Sequence, residues 1–175
     1  MPFLIFILIF ANLSSWSIIS DFHQQKPIVA FLNIGQGNSV LISNPRTVSL
    51  YDVGPNGFIT IQEINKFLPF YKKRIDLLFL SHSDTDHYNG SFEILKRFSV
   101  SAIITSPFPS EDSGWQELMS LAKSKNIPVI KLQTLDKIKT PYENFSVLNP
   151  PPNPDKKIFK ADNENSLVLK LTQTT

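Results

Sequence analysis

SHSDTDHYNG, residues 81–90, sets two histidines and two aspartates, His82, Asp84, Asp86 and His87, within ten positions, directly after the stretch IDLLFL at 75–80, apolar on both faces apart from Asp76. An apolar run of that length with no polar face is the pattern of a central strand covered on both sides. The cluster therefore stands at the carboxyl end of a buried strand, where ligands bind in open α/β sheets. His82 and Asp84, two residues apart, point to one side of extended backbone, and Asp86 with His87 reach an adjacent position once the chain turns. Imidazole nitrogen with carboxylate oxygen suits Zn²⁺, with Mn²⁺ or Fe²⁺ also compatible. A hydrated turn with Ser91 capping the next helix would account for the aspartates and serines, but capping requires neither histidine. A calcium loop opening at Asp84 fails, because its sixth position is Asn89 instead of Gly and its twelfth is Leu95 instead of Glu.

The whole chain narrows the choice of ligands. Its 175 residues, 42% hydrophobic and 18% charged, are enough for one domain with a real core. Cysteine is absent, which removes disulfides, thiol nucleophiles and cysteine-type zinc fingers together. A metal must then be held by carboxylates and by the three histidines, of which His23 sits in a polar joint and reads as a connecting residue. The net charge of +2 makes no basic field that would by itself imply nucleic acid.

Upstream, residues 3–11 form an unbroken apolar run and the first charge is Asp21. Each Leu, Ile or Phe contributes roughly −0.3 to −0.6 kcal/mol to bilayer insertion, so the run outweighs Asn12 and the serines after it. Residues 1–20 are expected to be a single-pass membrane anchor, with the soluble domain, residues 27–175, outside the cytoplasm. A cleaved signal peptide, which would make the protein secreted, and a buried N-terminal helix are the competing readings. No Lys or Arg precedes the run and no clean Ala-x-Ala site follows it.

Between the N-terminal segment and the cluster, residues 28–34, 39–43 and 47–51 read as short antiparallel strands separated by Gly, Asn and Pro. Ile61, Ile64, Phe67 and Leu68 recur at helical spacing with Pro69 as a stop. Beyond Gly90 the pattern predicts a short helix through Phe92, Leu95 and Phe98, a strand at 101–105, and a helix opened by a Ser113/Gln116 capping box and closing near Asn126. Further strands are expected at 127–132, 145–148 and 166–171, with a proline-rich loop at 150–154.

Four segments, in order, resemble one family. The loop at 81–90 is similar to the HxHxDH signature of the metallo-β-lactamase fold, in the variant SHxDxDHxGG of ComEC-type competence proteins. FLNIGQGNSVLI at 31–42 resembles that family's FLDVGQGDSxLI, YDVG at 51–54 its IDTG, and NSLVLKL at 165–171 its NxSLVL strand. The resemblance spans residues 28–171 and implies an α/β fold, a partial metallo-β-lactamase αββα sandwich preceded by one N-terminal hydrophobic helix. It implies one or two Zn²⁺ ions and metal-assisted hydrolysis, with His82 on the first metal, Asp86 and His87 on the second, and Asp86 orienting the nucleophile. The implied substrate is a phosphodiester, the DNA strand degraded during uptake. In this frame Asp52 is a carboxylate that orients a histidine ligand, with an ordinary Asp-Val-Gly turn as the alternative.

Gly35 and Gly37 flank Gln36 in a turn that either lets the backbone pass close to the site or is a plain hairpin connection. It is not a nucleotide fingerprint, since Val40 stands where a third glycine is needed and a strand follows in place of a helix. No nucleotide cofactor is expected. Asn33 and Asn38 occupy positions where the family has Asp, and Asn89 one where it has Gly. An amide keeps the shape and loses the charge. Nothing after Leu171 resembles the family's later TGD and His-His-Gly-Ser stretches, so the domain is expected to be incomplete at its C-terminal side. A metal-binding module without catalysis is the competing functional reading.

Overall fold

The computed structural model describes residues 27–108, 110–152 and 162–174, together with 3, 5–10, 12 and 13 of the N-terminal run. Three short strands, β1 (Ile28–Phe31), β2 (Val40–Ser43) and β3 (Val48–Tyr51), pair antiparallel as the turn residues between them require. Helix α1 (Gly57–Ile64) then crosses to β4 (Arg74–Leu80), which lies parallel to β3. A helical crossover is how adjacent parallel strands are joined. The short α2 (Thr85–Tyr88) and α3 (Ser91–Arg97) lead to β5 (Ser99–Thr105), and α4 (Ser113–Ser124) to β6 (Val129–Lys131), giving one sheet in the order β1-β2-β3-β4-β5-β6. A second sheet, β7 (Lys137–Lys139), β8 (Glu143–Asn149) and β9 (Val168–Gln173), is antiparallel.

Alternation along β4 divides the interior into two cores. Leu78 and Leu80 face the helices, where Ile64, Ile94, Leu118 and Ala122 meet them. Phe79 faces the second sheet, where its ring lies 4.9 Å from that of Phe145 among Ile104, Val147 and Leu167. Full burial of each such side chain stabilises by about 1.5–3 kcal/mol. Helices, first sheet and second sheet thus form three layers of the expected αββα arrangement. The two sheets are also pinned by a polar contact, since the buried Glu143 carboxylate at the start of β8 accepts from Asn44, Thr47 and Thr140.

Several boundaries differ from expectation for identifiable reasons. Helix α1 begins four residues earlier than its apolar spacing suggests, because the Asn56 side chain caps it by accepting from Phe58 N. Asp112, one residue before Ser113, is the N-cap of α4 and accepts from Trp115 N at 2.7 Å. Gln116 donates to Ser110 O instead of closing a capping box. Helix α3 is preceded by Gly90 with no side-chain cap, and the Ser91 hydroxyl is buried. Strand β9 pairs only with β8 among the described residues.

Of the expected anchor, the described positions are helical, and Phe3, Ile5, Phe6, Ile7, Leu8, Ile9, Phe10 and Leu13 are exposed. Among the described residues no helix is long and apolar enough to cross a membrane. The rest of residues 1–20, and His23, lie outside the described residues.

Candidate metal centre

Three loops at the carboxyl ends of β1, β3 and β4 converge on residues 81–90. The loop after β1 carries Gly35, at φ +82°, and Gly37, at φ +81°, both in the left-handed region that glycine enters freely. Gly37 packs on the Asp86 backbone, and from this loop Gln36 Nε2 reaches to 3.5 Å from Asp86 Oδ2. Asn33 and Asn38 are exposed in the same loop.

The loop after β3 places Asp52, fully buried and itself at φ +54°. Backbone bonds hold it there: Asp52 N donates to Phe79 O at 2.9 Å, and Val53 N to His87 O at 2.8 Å. Ser39 Oγ donates to Asp52 O at 2.9 Å. Asn89 stabilises the same junction, its amide donating to Pro55 O at 2.8 Å.

Asp52 connects to both histidines. Its Oδ1 accepts from Ser81 N at 2.8 Å, and its Oδ2 accepts from Ser81 Oγ at 2.7 Å and from His87 Nδ1 at 2.8 Å. Because Ser81 spends its one hydroxyl proton on the carboxylate, its oxygen must accept from His82 Nδ1, 2.8 Å away. Counting donors in this way makes both rings Nδ1–H tautomers and leaves a lone pair on each Nε2, the arrangement that frees an imidazole to ligate a metal. The two rings lie side by side, with centroids 4.0 Å apart.

His82 Nε2 is buried and has no hydrogen-bond partner; Asp84 Oδ2 lies 3.2 Å away but outside hydrogen-bonding geometry. An unsatisfied buried polar atom costs about 1–3 kcal/mol, and a cation at that nitrogen would relieve it. Asp86 Oδ1 lies 4.0 Å from His87 Nε2, and Asp84 and Asp86 keep more solvent access than either ring. Two imidazole nitrogens and two carboxylates therefore suit Zn²⁺, although among the described residues no three such side chains converge as a ready-made metal cluster.

The electrostatics follow the same contacts. The hydrogen bond to Asp52 raises the His87 imidazole above its ordinary pKa against partial burial, which lowers it, and the charges of Asp52, Asp86 and Asp84 add to the rise. Burial, then the charge of Asp52, hold the Tyr51 phenol neutral, and Tyr51 donates to Leu167 O at 2.5 Å. Ser81 and Gln36 were not singled out in the sequence. Their roles depend on contacts 29 and 50 residues away, which local spacing does not reveal.

A search of the curated proteins finds none that matches this sequence. Among solved structures, the fold is similar to that of a metallo-β-lactamase of Cronobacter sakazakii with a HARLDQ motif, at 15% identity and TM-score 0.54, covering 90% of this chain and 58% of that one. It is also similar to MEM-A1, a subclass B3 metallo-β-lactamase isolated from a soil metagenome library, at 15% identity and TM-score 0.54, covering 87% of this chain and 59% of the other. The metallo-β-lactamase fold protein YhfI of Bacillus subtilis matches at 13% identity and TM-score 0.51, covering 82% of this chain and 54% of the other. At these identities the likeness shows the fold alone, and the chain spans less than two thirds of each of these structures. The family model of the metallo-β-lactamase superfamily matches residues 32–165. With the fold, the motif order and that match in agreement, the chain belongs to the metallo-β-lactamase superfamily.

Proposed function

We propose that this chain carries the first half of a metal-dependent phosphodiester hydrolase of the ComEC type, linked to DNA uptake. The observation that supports it best is the Asp52–Ser81 pair, which directs the Nε2 lone pairs of both His82 and His87 away from the fold's own hydrogen bonds. His82, Asp84, Asp86 and His87 would hold one or two Zn²⁺ ions, with Mn²⁺ as an alternative. A bound Zn²⁺ supplies a Lewis acid and brings the pKa of water toward neutrality. Asp52 keeps the His87 ring oriented and Ser81 passes the same constraint to His82. Asp86 would hold and orient the attacking water. The apolar side chains exposed on the N-terminal run support a role for that segment as a membrane anchor.

A metal-binding module without catalysis is the second reading, favoured by the chain's spanning less than two thirds of the solved structures it resembles. Two measurements separate the readings: zinc content, and zinc-dependent cleavage of bis-p-nitrophenyl phosphate and single-stranded DNA. Wild type should retain zinc and cleave, and the His82→Ala, Asp86→Ala double variant should lose both. Equal zinc in the two proteins sinks the site assignment, and zinc without cleavage leaves the binding module.

A further inference from the structure

The space beside His82 continues past the histidine–aspartate cluster. A constriction of about 10 Å³, room for one water at most, lies between His82, Ser83 and Asn165 on one side and Thr105, Ser106 and Trp115 on the other. Thr105, Ser106 and Trp115 also wall a larger cavity of about 360 Å³ that runs past Gln116 and Met119 to Lys131. That volume falls in the range of small-molecule sites, roughly 300–1,000 Å³. Thr105 and Lys131 are direct partners across β5 and β6, and Ile103, two residues before Thr105, belongs to the helix-side core. Both side chains therefore face α4, which supplies Gln116, Met119 and Ser120 to the opposite wall.

The chemistry of this wall is the reverse of the metal cluster's. Among the described residues no aspartate or glutamate lines either cavity, hydroxyls from Thr105, Ser106, Ser110 and Ser120 do, and the one Lys or Arg is the exposed Lys131 at the far end. Phe108, Trp115 and Met119 add an apolar side. A lysine acts on phosphate as a point charge, and among the described lining residues no carboxylate opposes an anion at Lys131. We infer that this cavity is a substrate subsite taking the portion of a phosphate ester that carries a second phosphate and an apolar or aromatic group, with Lys131 as the phosphate contact. The inference rests on the hydrolase reading above for what sits at His82.

The test uses the full chain in a Trp16→Phe background, so that Trp115 is the one remaining tryptophan. Metal is removed by chelator, so that no bound cation competes for the anion. Phenyl phosphate is titrated while Trp115 fluorescence is followed. Saturable binding is expected, weakened about tenfold or more by Lys131→Met, which alters an exposed residue, and by Ser120→Phe, which fills the cavity from the helix side. Phenol, benzoate and inorganic phosphate should each bind at least about tenfold more weakly. Equal binding by Lys131→Met, or by phenol or benzoate, overturns the phosphate subsite, as does the absence of any phenyl phosphate binding. Zinc content of the untreated protein is read separately. A protein that holds zinc and binds no phenyl phosphate loses the subsite alone, and one that binds phenyl phosphate through Lys131 without holding zinc loses the hydrolase reading alone.

Discussion

Gly37 and Asp86 meet so closely that a Cβ added to Gly37 would lie 1.8 Å from the Asp86 carbonyl oxygen, with Gly37 itself at φ +81°. Gly35 has almost the same backbone, at φ +82°, and open space around it. The pair separates conformational strain from collision. Gly35→Ala should destabilise by about 1–2 kcal/mol, the cost of a left-handed residue with a side chain. Gly37→Ala should cost more than about 3 kcal/mol, because Asp86 backbone must also move. Urea denaturation of the two variants gives the comparison, and equal losses would mean the Gly37–Asp86 approach is not a constraint.

Asp52→Asn preserves shape but removes the charge that both histidines depend on. Zinc affinity, measured by titration against a competing chelator, should fall about 10–100-fold. Ser81→Ala touches the His82 branch and leaves the Asp52–His87 bond in place, so its effect should be smaller. Wild-type affinity in Asp52→Asn would show that the carboxylate orients nothing that matters to the metal.

Tyr88 follows His87 directly and donates to Asp112 Oδ1 at 2.5 Å, while the same oxygen caps α4 through Trp115 N. Tyr88→Phe removes one bond and leaves the cap, for an expected loss of about 1–1.5 kcal/mol. Asp112→Ala removes both and should cost about 2–3 kcal/mol. Thermal denaturation checks the order, and a Tyr88→Phe effect equal to that of Asp112→Ala would refute the cap's independent contribution.

On α3, Glu93 pairs with Lys96 at 2.7 Å and Arg97 at 3.4 Å. The hydrogen bond from Lys96 is the main cause of a carboxyl pKa below the ordinary glutamate range, with both cations adding to it and desolvation opposing. A depressed folded-state pKa contributes stability that is present above the unfolded value and is lost as pH falls through the folded one. Wild type should therefore lose a small increment of stability over Glu93→Gln as pH drops below the ordinary glutamate value, an exposed pair being well screened. Parallel unfolding curves of the two proteins across that window would show that the pair contributes nothing.

What the sequence disclosed and what it hid divide along physical lines. IDLLFL could be read as a central strand because both of its faces are buried, and β4 sits between β3 and β5. The three antiparallel strands before it were legible from their Gly, Asn and Pro boundaries. Strand β7, Lys137–Lys139, was not, since three residues with two exposed lysines carry no apolar alternation and are held by pairing to β8. In the site, the candidate ligands His82, Asp84, Asp86 and His87 were visible by spacing alone. Ser81 was not, because a serine before a histidine is unremarkable until Asp52 is folded beside it.

Asp52 answers two demands that rarely coincide: a backbone at φ +54° and a carboxylate bonded to Ser81 and His87. Glycine and asparagine accept the backbone but bring no charge, and glutamate brings charge but accepts the left-handed region poorly. No single-residue replacement meets both, so this position has no neutral neighbours in sequence space. In a saturation library selected for zinc-dependent function it should stand out as a site with one permitted residue, while Asn33 and Asn38, exposed in the loop nearby, should accept several.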